Sequence, residues 1–542
     1  MTVYNFKLLG FLLFIGANIS LAQDIKKPNI IFIMTDDQSS IVPSEEDKGV
    51  QSRPFGFNGD KEVHTPVIDS LAKGGMIFNN AYVSSSVCSP SRYSMLTGRY
   101  ASRSKGKVFM KQHPLGTMTR VENNTELEND LDNLPKMLQT LGYKTGFVGK
   151  SHIMEHDKLI QRKNWVKHGF KEFDKNADPN DVEVSQAASH NHEAWINIIK
   201  DYGFDYANAV YGGNLKEVYN DSLNVHNVEW KNKAALDFID TNKASPFFLY
   251  YSETIPHGPA PWIKKNGKYT HGLDANPKFT GEGYVDESYS YLPSRQEIKD
   301  EIVSLGKDQD HAWLLWFDYA IGALVQKLKE EGIYDNTIIV ITSDHGSYNY
   351  GKTTLYESGV KVPLLVHWPN GIKPNTVYNE QVQNIDIAPT FLDLAGYKLK
   401  KKHQFDGVSF KKVLFGSKNP IHDYLYFELG YARAVATKEW KYISVRYDSE
   451  KEQKIQNGKM FNGFQGRKIS LPYYTRNSHL GYHSSRHNPL YFERDQLFDL
   501  VNDSKEQNNI YNENDKEVKK LKRLLIKTLE SFPNRPYGEF VN

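Results

Sequence analysis

Two short polar segments could hold a divalent cation, because each directly follows a run of apolar residues. Asp36 and Asp37 follow N-I-I-F-I-M-T, and Asp344 and His345 follow T-I-I-V-I-T-S. Either pair alone is more often a turn or a helix cap. Parallel strands, however, bring their carboxyl ends to one edge of a sheet, where several carboxylates repel one another without a cation. Oxygen ligands favour Ca²⁺ or Mg²⁺ over zinc, although a histidine nitrogen is a poor calcium ligand.

The only cysteine of the chain, Cys88, lies in S-V-C-S-P-S-R-Y-S-M-L-T-G-R at residues 86–99. It could be a small buried hydrophobe, as most free cysteines are. It could also be a thiolate whose pKa is lowered by Arg92 and a helix N-terminus. A single cysteine forms no intrachain disulfide, and an unpaired thiol is a liability in an oxidising compartment. Neither alternative explains why Pro90 and Arg92 accompany it.

The elements that must position these residues are apolar strands alternating with amphipathic helices, which predicts an α/β fold. We expect a large domain with a central, mostly parallel or mixed sheet flanked by helices. From residue 421 the pattern changes to short strand-like segments and a charged amphipathic helix at 516–531, which predicts a smaller α+β subdomain. The polar stretches 176–228 and 258–310 predict long loops or insertions.

The N-terminus has the pattern of a secretory signal peptide: a lysine, an apolar run, and small residues before a cleavage site near Ala22. The apolar run is too short for a comfortable membrane span, and no later segment is better suited. We therefore expect an exported protein, periplasmic or secreted, without stable membrane insertion. The formal net charge of +2 over 542 residues argues against nucleic-acid binding but leaves room for a local basic pocket.

The segment around Cys88 resembles the signature of type I sulfatases: Cys-x-Pro-x-Arg, two variable residues, two apolar residues, then Thr-Gly. The family's second signature is nearly matched by G-Y-K-T-G-F-V-G-K-S-H at 142–152. Shorter matches follow in the family's order at 255–257 (I-P-H), 343–346 (S-D-H-G) and 351–363 (G-K-T-T-L-Y-E-S-G-V-K-V-P). The sequence thus resembles formylglycine-dependent sulfatases of the alkaline phosphatase superfamily along nearly all of the mature chain.

Together with the N-terminal pattern, this resemblance implies three parts. They are a signal peptide (1–22), a catalytic sulfatase domain (23–420) and a C-terminal subdomain with a small antiparallel sheet (421–542). The resemblance also implies that a maturation enzyme oxidises Cys88 to formylglycine (3-oxoalanine), a side-chain aldehyde. The isolated thiol would then no longer be a liability, because the mature protein would not contain it.

The resemblance further implies roles for the polar residues of the motifs. The cation, Ca²⁺ in preference to Mg²⁺, would be held by Asp36, Asp37, residue 88, Asp344 and His345. The catalytic set would be Cys88, Arg92, Lys150, His152, His257 and Lys352. In that set the arginine steadies the hydrated aldehyde and the two lysines bind sulfate oxygens. His152 is expected to act as the base that collapses the hydrate, and His257 as the acid for the leaving oxygen.

The implied activity is the hydrolysis of sulfate esters on a sulfated polysaccharide or its oligosaccharides. We favour a marine algal polysaccharide such as ulvan, although no motif specifies it. Glycan contacts, or else solvated loops, are expected at 189–195 and in 467–494, where Arg476, His479, His483, Arg486 and His487 cluster. Two other functions stay open: a formylglycine-dependent phosphodiesterase or phosphonate monoester hydrolase, and a non-catalytic glycan-binding protein.

Overall fold

The computed structural model describes residues 27–541 except for 45–46, 48–49, 51, 156–161, 260–263, 266–267, 270–271 and 400–402. The predicted signal peptide, with its cleavage site near Ala22, lies outside the described residues. Within the described ranges, no helix combines the length and the apolar character needed to cross a membrane.

A mixed sheet of eight strands forms the centre of the molecule. In chain order the strands are β1 (Asn29–Thr35), β2 (Met76–Phe78), β3 (Lys144–Lys150), β4 (Tyr206–Tyr211), β5 (Phe247–Ser252), β6 (Thr337–Ser343), β7 (Leu364–His367) and β8 (Thr376–Tyr378). Across the sheet they follow the order β8-β2-β7-β6-β1-β5-β3-β4. Strands β6, β1, β5, β3 and β4 run parallel, whereas β7 is antiparallel to both of its neighbours. The predicted mostly parallel, mixed sheet is confirmed.

Helices cover both faces of this sheet, because successive residues of a strand point to opposite sides. The described α-helices are α1 (Pro66–Lys73), α2 (Cys88–Thr97), α3 (Lys107–Gln112), α4 (Leu134–Gln139), α5 (Val182–Asp201), α6 (Val228–Asn242), α7 (Arg295–Ser304), α8 (Ala312–Glu330), α9 (Glu357–Val360), α10 (Ile387–Leu394), α11 (Lys411–Leu414), α12 (Ser449–Gln456), α13 (Ser478–His487) and α14 (Asp515–Glu530). Ile31 and Ile33 of β1 pack in one apolar cluster with α1, α6, α7 and α8. Phe32 and Met34 pack in a second cluster with α2, α4 and α10.

A second, antiparallel sheet lies in the C-terminal part of the chain. Its strands are β9 (Leu425–Leu429), β10 (Ala432–Ala436), β11 (Trp440–Val445) and β12 (Asp495–Asp499). One face belongs to the same apolar cluster as β1 and α2, and the other is covered by α14. The predicted antiparallel sheet is confirmed, whereas the domain boundary between residues 420 and 421 stays a prediction.

The prediction of long loops was wrong for parts of both polar stretches. α5 and β4 lie within 176–228, and α7 lies within 258–310. The periodicity of α5 was hidden because half of its buried positions are polar: Ala188, Asn191, His192 and Ile199. The buried face of α7 likewise alternates charged and apolar side chains.

Candidate active site

The predicted site residues gather at one edge of the main sheet, because the strands that carry them end in register. Thr35 at the end of β1 pairs with Ser343 at the end of β6, so Asp36 and Asp344 leave the sheet side by side. On the other side of β1 lie β5 and then β3, whose last residue is Lys150. Two carboxylates and one ammonium group are thereby brought to a single buried edge.

Cys88 reaches this edge as the first residue of α2. The backbone is extended at the preceding residue, with φ −139° and ψ 155°, and becomes helical at Cys88. α2 is buried along its whole length although its sequence, C-S-P-S-R-Y-S-M-L-T, is largely polar. Its hydroxyls find backbone acceptors: Ser89 Oγ donates to the carbonyl of His152 at 2.8 Å, and Ser91 Oγ donates to the carbonyl of Asp344. These bonds fix the position of residue 88.

Four of the predicted ligands form a compact group. One ligand atom from each of Asp36, Asp37, Cys88 and His345 lies within 4.8 Å of all the others. The sulfur of Cys88 is 3.3 Å from Nε2 of His345, and the same nitrogen is 3.2 Å from Oδ1 of Asp37. All four side chains are buried. The structure therefore brings together the residues that the sequence predicted to share a cation.

The fifth predicted ligand, Asp344, lies beside this group and is held by Arg92. The guanidinium donates through Nε and Nη2 to Oδ2 of Asp344, at 3.1 and 3.0 Å, and Nη1 donates to Ser252 Oγ at 2.6 Å. Oδ1 of Asp344 accepts the backbone N–H of Asp37 at 3.1 Å. Arg92 is fully buried, and its fixed charge balances Asp344 and also Asp36, whose Oδ2 lies 3.3 Å from Nη2. Metal ligation by Asp344 stays a prediction.

Two lysines face the sulfur of Cys88. Nζ of Lys150 lies at 3.8 Å and Nζ of Lys352 at 3.7 Å. Lys150 also pairs with Asp36, and Lys352 pairs with Oδ1 of Asp37 at 2.7 Å. Burial raises the pKa of the Cys88 thiol, but the two ammonium groups outweigh burial and lower that pKa to about 5. The surroundings of residue 88 are thus built to stabilise negative charge.

The two predicted acid–base histidines lie on loops that border this group. Nε2 of His257 is 3.9 Å from Oδ2 of Asp37, and its Nδ1 lies 2.7 Å from the carbonyl of Gly258. Burial, followed by the charges of Lys150 and Lys352, lowers the pKa of His257 well below its usual value. His152 is 5% exposed and has a positive φ of 57°, so its backbone is strained. Their roles as acid and base stay predictions.

The donor set fits a hard divalent cation. Oδ2 of Asp37 is buried and makes no hydrogen bond within the described part of the chain. Burial raises the pKa of Asp37 to about 7 and that of Asp344 to about 6, because the nearby cations only partly balance their charge. A buried carboxylate oxygen without a donor is stabilised by a metal ion. Oxygen atoms from two aspartates beside one imidazole suit Ca²⁺ or Mg²⁺ better than zinc.

Sequence reasoning missed the residues that hold the cationic side chains in place. Ser252 accepts from Arg92 and donates to the carbonyl of Lys150 at 2.7 Å. Asn214 accepts from Nζ of Lys150 at 2.8 Å. Ser252 could have been found, because it ends a strand at the same sheet edge. Asn214 follows a strand in a stretch predicted to be a loop, so no pattern in the sequence pointed to it.

The structure separates the residues that were candidates for glycan contacts. The segment 189–195 lies in α5, where buried His192 accepts the backbone N–H of Val210 at 3.0 Å. Arg476 pairs with Glu122 at 3.6 Å. His479, His483, Arg486 and His487 all lie on α13. Ser484 of the same helix donates to the carbonyl of Lys352, so α13 borders the site. His192 of α5, in contrast, is part of the core.

Comparison with protein families gives two matches. A family model described as Sulfatase matches residues 28–397, and one described as N-sulphoglucosamine sulphohydrolase, C-terminal, matches residues 343–457. Among curated proteins, an ulvan-active sulfatase of Formosa agariphila is 24% identical over 521 residues, which cover 94% of this chain and 80% of that protein. An N-acetylglucosamine-6-O-sulfatase of Bacteroides thetaiotaomicron is 24% identical over 461 residues, 72% of each chain.

Solved structures with the same fold cover nearly the whole chain. Ps i-CgsB in complex with k-i-k-neocarrahexaose has a TM-score of 0.56 and 24% identity, and the match covers 94% of both chains. The PsFucS1 sulfatase from Pseudoalteromonas sp. has a TM-score of 0.54 and 19% identity, with 94% of this chain and 92% of that chain covered. At these identities the likeness shows the fold alone.

Proposed function

The chain belongs to the sulfatase family and is a sulfuric ester hydrolase; on that premise we propose that a formylglycine at position 88 is its nucleophile. The observation that carries the proposal is the position of Cys88. It starts a buried helix, two ammonium groups lie 3.7 and 3.8 Å from its sulfur, and a group of cation ligands adjoins it. A sulfate ester needs this arrangement, because its non-bridging oxygens carry a negative charge and further negative charge develops on the leaving oxygen as the ester bond breaks.

The proposed aldehyde solves a problem that a thiol would create. Thiolate attack on sulfur would leave a sulfated cysteine with no easy exit. In the hydrated aldehyde, one hydroxyl of residue 88 loses its proton and attacks sulfur, and the bond from sulfur to the leaving oxygen breaks as that oxygen takes up a proton. The second hydroxyl then loses its proton, the carbonyl forms again, and the bond between carbon and the sulfate oxygen breaks to release sulfate. Water therefore never has to attack sulfur.

We assign the remaining steps to this chain's own side chains. Lys150 and Lys352 would neutralise the sulfate oxygens, since both already stabilise negative charge at residue 88. Arg92 would keep the hydrate oriented through its fixed position beside α2. His257 would protonate the leaving oxygen, and His152 would take the proton from the second hydroxyl. Each role belongs to the proposal.

We propose Ca²⁺ as the cation, with Mg²⁺ as the alternative. Asp36, Asp37 and His345 would hold it together with residue 88, and Asp344 would complete the set if Arg92 leaves one of its oxygens available. When bound, such an ion supplies Lewis acidity and fixes the geometry of the sulfate oxygens. The ligand atoms already lie close together in the folded chain. A bound cation would give the second oxygen of Asp37, Oδ2, the partner that it lacks within the described residues.

The substrate we propose is a sulfated polysaccharide or its oligosaccharides. The support comes from relatives: one is named an ulvan-active sulfatase, and one neighbouring structure holds a carrageenan oligosaccharide. Ulvan is the specific glycan that we propose. We also propose export after cleavage near Ala22, maturation of Cys88 by a formylglycine-generating enzyme, and the division into 23–420 and 421–542.

Mass spectrometry of the peptide that contains residue 88 tests the proposed nucleophile. In protein from the native source, or from a host with the maturation enzyme, we expect the mass of the aldehyde, and activity on 4-nitrophenyl sulfate should rise with the aldehyde fraction. The Cys88→Ala variant is the control and should be inactive. Active protein that contains only the unmodified thiol would refute the proposal. A preference for a phosphate diester over the sulfate ester would favour the phosphodiesterase alternative.

A further inference from the structure

Two elements at the rim of the site hold the two lysines that face residue 88. Asn214 binds the ammonium of Lys150 and caps a short 3₁₀ helix, Leu215–Val218. On the opposite side, Ser484 of α13 donates to the carbonyl of Lys352. Lys216 of the 3₁₀ helix is close enough to His479 of α13 to influence its pKa. The 3₁₀ helix and α13 therefore lie next to the two lysines that face residue 88.

Three rim side chains form a hydrogen-bonded group, which we call the rim triad: Tyr348, His479 and His483. The hydroxyl of Tyr348 is 2.9 Å from Nδ1 of His479, and Nε2 of His479 is 3.2 Å from Nε2 of His483. All three side chains are half-buried, so each also reaches solvent. Tyr348 lies three residues after His345, and α13, which carries both histidines, contacts the carbonyl of Lys352 through Ser484.

The two histidines of the rim triad have positive and aromatic neighbours, and neither has an acidic ion-pair partner among the described residues. Burial, followed by Lys216, lowers the pKa of His479. Burial, followed by His479 and Arg486, lowers the pKa of His483. Solvent-facing polar groups with positive neighbours, here Lys216 and Arg486, and without a paired carboxylate attract an anion more readily than a cation.

Core packing does not account for this arrangement. The face of α13 that packs against the protein consists of Leu480, Gly481 and Ser484, and these residues are buried. His479 and His483 lie on a half-exposed face, where Phe464 packs against the first ring at 4.7 Å between centroids. Nδ1 of His483 makes no hydrogen bond with any residue that the structure describes. His483 therefore keeps one ring nitrogen available for a ligand.

We propose that the rim triad binds a second anionic group of the substrate, a sulfate or a carboxylate, on the esterified sugar or on the next sugar. The inference rests on the proposed function, because it needs a sulfate ester seated between Lys150 and Lys352. The enzyme would then prefer glycans in which the scissile sulfate has a charged neighbour. Tyr348 and the two histidines would be specificity residues that contact substrate without taking part in bond cleavage.

The test compares four substrates with the matured enzyme. They are 4-nitrophenyl sulfate, a sulfated disaccharide that contains a uronic acid, the same disaccharide after reduction of its carboxyl group, and a disulfated disaccharide of neutral sugars. The variants are Tyr348→Phe, which removes a single oxygen, His479→Phe and His483→Phe. His168→Phe is the control, because it changes an exposed histidine that lies outside both segments with candidate glycan contacts.

We expect each triad variant to raise KM about tenfold for the disaccharides with a second anion and to leave kcat within about twofold. The values for 4-nitrophenyl sulfate and the reduced disaccharide should not change, and the control should resemble the wild type on all four substrates. An effect on only the uronate or only the disulfated substrate would identify which anion is bound. Equal effects on all substrates, or none on any, would overturn the inference.

A binding experiment separates failure of this inference from failure of the proposed function. Cys88→Ala should bind the uronate-containing disaccharide in calorimetry, and adding Tyr348→Phe should weaken that binding about tenfold. Absence of sulfatase activity in protein with the aldehyde would refute the proposed function alone. Unchanged binding after the second substitution would refute the rim triad alone.

Discussion

At the scale of single residues, the site is organised around the charge that position 88 must tolerate. Lys150 and Lys352 pair with Asp36 and Asp37 and also face the sulfur of Cys88. Each lysine therefore has a carboxylate that holds it in position before substrate arrives. Buried charges are tolerated only when they are paired in this way. The arrangement is pre-organised for an anion, which is what electrostatic catalysis requires.

Asp37 provides a test of the cation at this scale. An ion that binds only the folded protein stabilises it by about 2.7 kcal/mol at a hundredfold excess over the dissociation constant. We expect a calcium chelator to lower the thermal unfolding midpoint of the wild type and readdition of Ca²⁺ to restore it. In Asp37→Asn the chelator should change the unfolding midpoint much less, because the substitution removes the negative charge and one oxygen ligand.

The matched control for that experiment is Asp318→Asn. Asp318 is also a buried aspartate, but its carboxylate accepts the backbone N–H groups of Val67 and Ile68 at 2.9 and 2.8 Å. Its substitution should lower stability while the effect of the chelator stays intact. A chelator effect of equal size in Asp37→Asn and in the wild type would show that any bound ion lies elsewhere.

The sequence was informative at this scale where chemistry and spacing act together. It predicted the convergence of Asp36, Asp37, Cys88 and His345, because strand ends and motifs determine where those residues lie. It did not predict that Arg92 would hold Asp344 beside the group, since that depends on the direction of two side chains. Such directions follow from packing, which a single sequence does not specify.

At the scale of elements, the bulge near the end of β3 sets the direction of Lys150. The pairing with β4 shifts register between Val148 and Gly149. Gly149 has a φ of +99°, and a Cβ there would lie 1.8 Å from the carbonyl oxygen of Ser252. Ser252 in turn donates to the carbonyl of Lys150. A glycine is therefore needed where β3 approaches β5 and delivers its lysine to the site.

We expect Gly149→Ala to lower both stability and kcat/KM, because the backbone must move away from Ser252 and take Lys150 with it. Gly142→Ala is the control: its φ is +82°, but nothing lies within 4 Å of an added Cβ. Gly142→Ala should lower the free energy of unfolding by about 1–2 kcal/mol, because alanine is strained in the left-handed region, and should leave kcat/KM unchanged. Thermal unfolding and kinetics on 4-nitrophenyl sulfate would measure both. Equal losses in the two variants would mean that the close approach is unimportant.

At the scale of the whole molecule, apolar periodicity sufficed to predict the α/β core but not its polar components. β1 and β6 are apolar along their centres and buried throughout, so their positions followed directly. α5 was missed because it buries Asn191 and His192 through hydrogen bonds that only the folded chain provides. Nor could the sequence show that β9 and β10 pack in the same apolar cluster as the main sheet.

Buried histidines of this kind make the stability of the whole fold depend on pH. Nε2 of His192 accepts the backbone N–H of Val210 at 3.0 Å, so it cannot carry a proton in the folded state. Burial lowers the pKa of His192 from 6.5 to about 3. Below pH 6.5 the unfolded chain therefore binds a proton that the folded chain does not. Above that pH, His192 does not reduce the free energy of unfolding. As the pH falls below 6.5 the free energy of unfolding decreases, by about 2 kcal/mol at pH 5 for this residue.

We expect His192→Gln to reduce this acid sensitivity, because glutamine offers an acceptor to Val210 but does not titrate. The variant is expected to be less stable than the wild type at pH 7, since it packs less well against Trp230. The informative quantity is therefore the change in unfolding midpoint between pH 7 and pH 5, which should be smaller in the variant. Exposed His168→Gln is the control and should retain the full change. If the unfolding midpoint of His192→Gln falls as much as that of the wild type between pH 7 and pH 5, His192 takes up its proton without unfolding of the protein.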